Sequence, residues 1–572
     1  MTVPNRAAAV IFVGRLCVGR WGRLMGHLAT LDWLMIGLYF ALIFGVAWWV
    51  SGRRKETHES SAGYFLAGRN VGWFVVGAAL FASNIGSEHL VGLAGTGYDS
   101  GVAVGQFEVL ASLILLILGW LFVPFYLRSG VYTMPEFLER RYSAGARWYL
   151  AVVSIVGYVL TKISVTLYAG GIVYEVLLGG GFWTGALIIV LATGIYTVLG
   201  GLRAVLYTET IQTVVLIGGS VLVTLVGLHE LGGWGVLRST LDASFFDMWQ
   251  PMSHPSFPWT GILFGAPILG VWYWCTDQYI VQRVLSANGI DDARRGTILG
   301  GYLKLLPLFI FVIPGLVAAA LVATGRLELA RADHALPEMI RVLLPAGVRG
   351  MVVAGFLAAL MSSLAAVFNS CSTLITWDIY RKLRPASSER QLVMVGKIAT
   401  LALVGFGLLW IPFMKYISGQ LYVYLQSVQA YISPPIAAVF LLGVFWKRVN
   451  ATGALASLLT GFVLGMGRLV LELTKGSQSG LLLWYADINF LHFAVLLFAV
   501  CTAVLVAVSL ATPPQREDRL AGLTFATAAA PAAGDAVAAA RLRSAPAWRR
   551  KDLWLSVLLA ACVGIVWLFF RG

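Results

Sequence analysis

The chain has 572 residues, of which 59% are apolar and only 12% are charged, and its mean hydropathy is +0.81. A soluble domain carries roughly 25% charged residues, and a disordered chain is poor in apolar residues, so both classes are excluded. The composition predicts a polytopic membrane protein whose apolar surface faces lipid. The net charge of +14 then reflects basic loops at one membrane face, and nucleic-acid binding is not expected.

Long apolar runs predict about fourteen membrane-spanning helices, each close to the roughly 20 residues that a bilayer requires. The predicted spans are 31–50, 71–98, 102–126, 148–178, 182–199, 204–228, 257–285, 297–323, 351–375, 393–411, 421–445, 451–473, 491–510 and 553–570. The fold class expected from this pattern is all-α.

Basic residues cluster after odd-numbered spans. The clusters are Arg53, Arg54 and Lys55 after the first span, Arg140 and Arg141 after the third, Arg381 and Lys382 after the ninth, and Lys447 and Arg448 after the eleventh. The positive-inside rule makes these loops cytoplasmic. It predicts a multi-pass protein of the cell (inner) membrane with both termini outside.

The amino-terminal segment 1–30 has an uncertain status. Arg15 and Arg20 interrupt any apolar core of a signal peptide. These residues would also lie on the outer face, against the charge rule. A start at Met25 is an alternative that one sequence leaves open.

Two spans are interrupted by residues that a lipid-facing helix avoids. Residues 82–89 of the second span read Ala-Ser-Asn-Ile-Gly-Ser-Glu-His, and residues 265–270 of the seventh read Gly-Ala-Pro-Ile-Leu-Gly. Irregular backbone at this depth is tolerated only where it lines a cavity or is buried in protein. Because the interruptions lie five spans apart, they predict two five-helix halves with a transport site at the membrane midplane.

The expected domain organisation follows from this spacing. An inverted-repeat transport core occupies 71–445, with repeat one at 71–228 and repeat two at 257–445. The remaining segments are an extra first helix at 31–50, two peripheral helices at 451–510, a flexible cytoplasmic Ala/Pro/Arg-rich linker at 511–550 and a last helix at 551–572.

Ionisable residues inside the spans are Glu108, Lys162, Glu209, Asp277 and Lys304. Each costs roughly 2.5–3.5 kcal/mol near the centre of a membrane helix, so together they predict a polar interior. The alternative is that some lie near helix ends or form ion pairs with only a structural role.

The ninth span carries the hydroxyl side chains of Ser362, Ser363, Ser370, Ser372 and Thr373. Hard cations prefer oxygen ligands, so hydroxyls and unwound carbonyls suit sodium. The alternative is that each hydroxyl bonds only to the backbone of its own helix.

Several long motifs resemble those of the sodium:solute symporter family, and within it those of the sodium/glucose cotransporters. The resemblance covers about 64–446 and is carried chiefly by 81–87, 119–124, 133–136, 207–210, 272–278, 301–305, 361–364 and 433–440. It implies a five-plus-five inverted-repeat core and sodium as the coupling ion.

The resemblance also implies which residues bind the ion and the solute. The implied sodium site consists of Ala82, Ile85, Ala359, Ser362 and Ser363, and a second ion position of Glu209, Thr161 and Ser83. The implied sugar site consists of Asn84, His89, Glu108, Lys304 and Gln426, with Tyr273 beneath the sugar as an inner gate. The implied outer lid consists of Leu93, Phe107 and Tyr422.

Departures from the family pattern bear on the substrate and on the stoichiometry. Gly270 stands where sugar-transporting relatives carry Asn or Thr, and Ala111 replaces a Ser of some relatives. Losing a hydrogen-bonding partner relaxes discrimination among hydroxylated solutes. Glu209 replaces the usual Asp, and Ala366 lacks the hydroxyl of two-sodium relatives, which favours one sodium per cycle.

The expected function is sodium-coupled symport of a neutral sugar such as glucose or galactose by alternating access. The alternative within the class is a symporter of myo-inositol or another polar organic solute. The protein is expected to act in a lipid bilayer as a monomer or weak oligomer. A membrane sensor would carry a fused signalling domain and a membrane enzyme a nucleophile or acidic metal cluster in a loop, and neither pattern stands out.

Overall fold

The computed structural model describes residues 28–52, 70–414, 419–527 and 546–571. Apart from two isolated β-bridges, the regular structure of these residues is helical, which confirms the all-α prediction. The alternative start at Met25, the basic residues at 53–55 and the centre of the predicted linker lie outside the described residues.

The first half of the chain forms helices α1 to α10. They are α1 Thr30–Gly52, α2 Trp73–Asn84, α3 Ala94–Ser100, α4 Gln106–Ile117, α5 Val123–Ser129, α6 Met134–Arg141, α7 Ala144–Tyr158, α8 Ser164–Leu178, α9 Phe182–Leu231 and α10 Trp234–Thr240. Helix α9 contains the predicted fifth and sixth spans in one helical run.

The second half forms helices α11 to α24. They are α11 Trp259–Phe264, α12 Ala266–Val271, α13 Gln278–Leu285, α14 Ile290–Leu303, α15 Ile313–Ala323, α16 Ala335–Leu343, α17 Val348–Thr373, α18 Arg381–Leu383, α19 Glu389–Met414, α20 Leu421–Phe445, α21 Ala451–Leu473, α22 Gly480–Asp487, α23 Phe490–Ala511 and α24 Pro546–Phe569.

Short π-helical segments join many of these helices. Within the described ranges they are Glu88–Leu93, Leu118–Phe122, Val159–Ile163, Trp272–Thr276, Leu308–Val312 and Leu374–Tyr380. π-turns inside longer helices are rare and often mark functional sites.

Ten helical stretches of the described chain are long and apolar enough to cross a membrane. The predicted spans at 31–50, 71–98 and 182–199 correspond to shorter apolar helices, and 257–285 is divided among several elements. The number fourteen therefore stays a prediction, while the polytopic architecture is confirmed.

The predicted interruption of the second span is present. Helix α2 ends at Asn84, Ile85 has an extended backbone with ψ 93°, and helical structure resumes at Glu88. All residues from Val76 to Gly97 are buried. The unwound turn at 85–87 is therefore enclosed by protein, as irregular backbone at this depth requires.

The seventh span is interrupted at the predicted position and again further along. At Gly265 a single turn separates α11, which ends at Phe264, from α12, which begins at Ala266. This interruption is slight, because the Gly265 amide still donates to the Gly261 carbonyl at 2.7 Å and Pro267 lies in the first turn of α12, where its missing N–H costs no hydrogen bond. The larger break, which was not predicted, is at Asp277, which has an extended backbone and whose carboxylate accepts from the Tyr279 amide at 3.2 Å as the N-cap of α13.

The buried and lipid-facing helices separate clearly. Helices α17 and α20 are almost entirely buried at the centre of the molecule. Helices α19 and α24 expose large apolar side chains, among them Leu409 at 69% and Trp554 at 71%. Exposed apolar side chains of this kind match the lipid-facing surface that the apolar composition predicts.

Helix α1 is fixed to the core by its first turn. Asp32 accepts hydrogen bonds from the amides of Gly347 at 2.7 Å and Gly350 at 2.8 Å, and from the Arg349 guanidinium at 2.6 Å. A carboxylate at this position caps the amino terminus of α17 and opposes its positive dipole.

Loops predicted to be cytoplasmic meet at one end of the bundle. Arg147 pairs with Asp378 at 2.7 Å and with Glu139 at 2.5 Å, and Lys382 pairs with Glu139 at 2.9 Å. The loops after the third and ninth spans therefore lie on the same face, as the odd numbering predicts.

The first part of the predicted linker contacts this end of the bundle. The Phe525 ring lies 5.0 Å from that of Phe445 and 4.5 Å from that of Phe125. Its amide donates to the Val444 carbonyl at 3.0 Å. Phe525 therefore packs between α5 and α20, while the flexibility of 511–550 stays a prediction.

Arg141 holds the carboxyl end of α20. Its buried guanidinium donates to the carbonyls of Gly443 at 2.7 Å and of Trp446 and Val449 at 3.2 Å. These acceptors lie in the last turn of a helix and beyond it, where carbonyls lack partners in the helix.

We expect Arg141→Gln to destabilise the protein by more than the roughly 1–3 kcal/mol that one unsatisfied buried carbonyl costs. Thermal unfolding of the purified protein in detergent measures the effect. The control is Arg140→Gln, since Arg140 is half-exposed and pairs with Glu136 at the surface, where ion pairs contribute about 1 kcal/mol or less. Equal melting temperatures for the two variants would contradict this assignment.

Candidate functional site

A buried cavity lies between the broken second span, the third span and the broken seventh span. Its volume is about 530 Å³. Since a water occupies about 30 Å³ in the liquid, the cavity can hold several waters or a small polar solute in their place. Its walls are Asn84, Glu88, His89, Phe107, Glu108, Leu110, Ala111, Ile114, Lys162, Ala266, Leu269, Gly270, Tyr273, Trp274, Lys304, Tyr422, Leu425, Gln426 and Gln429.

Every residue predicted for sugar binding lines this cavity. Lys304, directly after α14, donates to the Glu108 carboxylate of α4 and to the Asn84 side-chain oxygen of α2. The His89 Nε2 lies 3.1 Å from Glu108 Oε1 and 3.3 Å from Lys304 Nζ. Residues 220 positions apart in sequence thus form one polar cluster on the cavity wall.

Tyr273 lies at the end of the cavity formed by the seventh span. Its hydroxyl accepts from Asn84 Nδ2 at 2.8 Å, which joins the aromatic ring to the polar cluster. The Lys162 ammonium lies 4.8 Å from the ring centroid, within the range of a cation–π interaction.

Two of the three predicted lid residues meet at the cavity. The Phe107 and Tyr422 rings are 5.8 Å apart in an edge-to-face arrangement, the geometry that aromatic pairs prefer. Both line the cavity, whereas Leu93 is fully buried and is not among the described residues that line it.

The predicted sodium residues lie where the second span is unwound. A Cβ added at Gly86 would stand 2.5 Å from Ser363 Oγ, so the unwound turn at 85–87 contacts α17 directly. Ser363 Oγ donates to the carbonyls of Ala359 and Leu360, each at 3.1 Å. Because a hydroxyl that donates its proton keeps its lone pairs, Ser363 can still present oxygen to a hard cation.

Ser362 has a different partner from Ser363. Its hydroxyl donates to Glu209 Oε1 at 3.3 Å. The same carboxylate oxygen lies 3.0 Å from Ser83 Oγ and 3.4 Å from the Arg283 guanidinium. Glu209 and Ser83, two of the three predicted second-ion residues, therefore lie together beside a resident cationic side chain.

Thr161, the third predicted second-ion residue, lies in another environment. Its hydroxyl donates to the Gly157 carbonyl at 2.6 Å. It lines a small neighbouring cavity with Tyr158 and Asp277, and the walls of that cavity do not include Ser83 or Glu209. The arrangement gives no single set of ligands made of all three residues.

The sequence missed several residues of the main cavity. Glu88 and Lys162 form a second buried ion pair in its wall, and Gln429 and Trp274 complete its polar and aromatic lining. Glu88 adjoins His89 in the predicted interruption, and Lys162 is one of the ionisable residues inside spans. Their pairing was not foreseeable, since 74 residues separate them.

Gly270 and Ala111 both line the cavity, together with apolar residues such as Ile114 and Leu269. A Cβ at Gly270 would lie 2.1 Å from Ile114 Cδ1. The isoleucine methyl therefore fills the space that a side chain at 270 would take.

The family model of the sodium:solute symporters matches residues 64–461. The chain belongs to the sodium:solute symporter family. It is a multi-pass membrane protein whose coupling ion is sodium, and its relatives are transporters.

Similar proteins include several sodium-coupled sugar transporters. The sodium/glucose cotransporter 1 of Oryctolagus cuniculus is 39% identical over 84% of this chain and 79% of its own. The sodium/mannose cotransporter of Bos taurus is 39% identical over 88% and 90%. The sodium/myo-inositol cotransporter of Mus musculus is 37% identical over 87% and 76%.

Among solved structures, a substrate-bound, outward-open Na+-coupled sialic acid symporter superimposes with a TM-score of 0.71. It is 22% identical, and the match covers 85% of this chain and 99% of that one. The likeness shows the inverted-repeat transporter fold.

Proposed function

We propose that this protein takes up a neutral sugar by symport with sodium. The observation that carries the proposal is the convergence of Lys304, Glu108, His89, Asn84 and Gln426 on one buried cavity beside the unwound turn of the second span. Sugar hydroxyls both donate and accept hydrogen bonds, and these groups offer donors and acceptors together. Tyr273 provides an aromatic surface beneath them.

The charges of the cavity favour a neutral solute. Its wall contains two carboxylates and two ammonium groups, paired as Lys304 with Glu108 and Lys162 with Glu88. A charged solute would bring a charge that these pairs do not compensate, and an uncompensated buried charge is costly. A sugar, or a cyclic polyol such as myo-inositol, brings none.

Sodium binding is proposed at Ala82, Ile85, Ala359, Ser362 and Ser363, where the unwound turn meets α17. In this proposal sodium and sugar favour the same outward-facing arrangement, so each strengthens binding of the other equally. Closure of Phe107 and Tyr422 over the sugar then precedes opening past Tyr273. Each inward charge supplies about 2.3 kcal/mol per 100 mV of membrane potential.

The proposed orientation places both termini outside the cell (inner) membrane. Asp32 contacts Gly347 before α17, and the Phe570 carbonyl accepts from the Met248 amide at 3.0 Å. The start of α1 and the end of α24 thus lie with even-numbered loops, which supports an orientation opposite to that of the basic loops near Arg147 and Lys382. Residues of one chain line the cavity, so a monomer suffices for the proposed transport. The two inverted repeats of the core are proposed at 71–228 and 257–445.

We expect proteoliposomes that contain the protein to accumulate labelled hexose with sodium outside and not with choline outside. Ser363→Ala should raise the sodium concentration for half-maximal uptake at least tenfold, because it removes one oxygen ligand. The matched control is Ser370→Ala, two turns along α17, whose hydroxyl makes the same bond to the carbonyl four residues before it. Equal uptake in sodium and choline would refute sodium coupling.

A competition panel tests the class of solute. Glucose, galactose, mannose and myo-inositol, added unlabelled, should displace labelled hexose to different degrees, whereas the matching sugar acids should displace it at least tenfold more weakly. The reason is that the carboxylates and ammonium groups of the cavity wall already pair with each other, so a sugar acid would add a charge without a partner. Stronger competition by sugar acids than by neutral sugars would contradict the proposal.

A variant pair tests the apolar wall. Gly270→Ala should force Ile114 Cδ1 to move and weaken hexose binding up to about tenfold, or about 1.4 kcal/mol. The double variant Gly270→Ala/Ile114→Val lacks that methyl, so binding should return to within about twofold of the original, a non-additive result. Additive losses in the double variant would show that the two residues do not interact.

A further inference from the structure

Glu88 is a buried carboxylate that the sugar cluster does not use. It is the first residue of the π segment after the unwound turn, and it is 2% exposed. One of its oxygens, Oε1, accepts from the Lys162 ammonium. The other, Oε2, accepts from Ser87 Oγ at 3.3 Å.

The second oxygen of Glu88 is directed toward the proposed sodium residues. The point where a Cβ at Gly86 would lie is 3.2 Å from Glu88 Oε2 and 2.5 Å from Ser363 Oγ. A carboxylate oxygen and a hydroxyl oxygen thus approach one point from two elements. Glycine keeps that point free of a side chain.

A carboxylate in this position changes the chemistry of the ion site. Carbonyl and hydroxyl oxygens bind a hard cation through partial charges only, whereas a carboxylate adds a full negative charge and raises affinity. Without the ion, the same carboxylate needs a cationic partner, because a lone buried charge is costly. Lys162 is that partner in the structure.

Lys162 has other stabilising groups within reach. Its ammonium lies 4.8 Å from the ring centroid of Tyr273 and 5.5 Å from that of Tyr279. It also lines the small neighbouring cavity together with Asp277. The ammonium can therefore move away from Glu88 toward aromatic rings and a second carboxylate.

We propose that Glu88 supplies a carboxylate to the sodium site and that the Lys162 ammonium occupies this carboxylate when the ion is absent. Sodium and Lys162 then compete for Glu88. When sodium binds, Lys162 shifts toward Tyr273, which lines the sugar cavity, and toward Asp277, which lines the small neighbouring cavity. This exchange of partners connects the ion site to the inner gate. The proposal rests on the sodium residues given under the proposed function.

The test is a sodium titration of the purified full-length protein without sugar, in choline chloride of constant ionic strength. Tryptophan fluorescence and the sodium-dependent rise in melting temperature give the midpoint, since a ligand that binds the folded state stabilises it. Glu88→Gln should raise the midpoint at least tenfold. Lys162→Met, which removes the competing cation, should lower it at least threefold.

The double variant Glu88→Gln/Lys162→Met separates this proposal from a purely structural ion pair. We expect it to recover thermal stability while its sodium midpoint stays as high as that of Glu88→Gln. Recovery of both stability and the original midpoint would overturn the proposal. If Glu88→Gln does not fold, Glu88→Asp replaces it, because the shorter side chain withdraws the carboxylate and should also raise the midpoint.

Two further variants complete the design. Glu472→Gln removes a partner of Arg468, which is buried, from a pair at 3.1 Å on α21, and should leave the sodium midpoint unchanged because neither residue lines the cavity. Ser363→Ala tests the ion site itself. A shift with Ser363→Ala but none with Glu88→Gln overturns only the role of Glu88, whereas no shift with either variant would reject the proposed sodium site.

Discussion

The unwound turn at 85–87 is the constraint on which the rest of the site depends. Peptide groups released from a helix at membrane depth have no water to bind, so the protein must surround them. Helix α17 covers this turn through Ser363, and Tyr279 of α13 donates its hydroxyl proton to the Ser83 carbonyl just before it. The same enclosure that satisfies the backbone brings the Ser363 hydroxyl to the turn, and the residues on either side of the turn, Asn84 and His89, line the buried cavity.

Three buried ion pairs lie around the cavity and the unwound turn. They are Lys304 with Glu108, Lys162 with Glu88 and Arg283 with Glu209, and all are shielded from solvent. Such pairs repay their desolvation only when further hydrogen bonds satisfy the remaining groups. Asn84 and His89 serve the first pair, and Ser83 and Ser362 serve the third. A solute with hydroxyl groups can enter such a network by exchanging hydrogen bonds, without removing a charge from its partner.

The sequence predicted what depends on local composition or on long motifs. The interruption at 82–89 was predictable because polar residues and glycine replaced apolar ones at membrane depth. The same reasoning overestimated the break at 265–270, where Gly and Pro remain compatible with helix, and it did not predict the larger break at Asp277. The residues predicted for sugar binding followed from motif resemblance, but their distances did not. Contacts such as Glu88 with Lys162 depend on how distant helices pack, which no local pattern encodes.

The carboxylate of Asp32 has a mechanical consequence for the core. It caps α17 from a different helix through two amides and Arg349, so α1 and α17 cannot slide past each other without exposing those groups. Ser363 is carried by a helix whose far end is anchored in this way. If the proposed ion site is correct, α17 forms its anchored side, whereas the unwound turn of the second span has no such cap among the described residues.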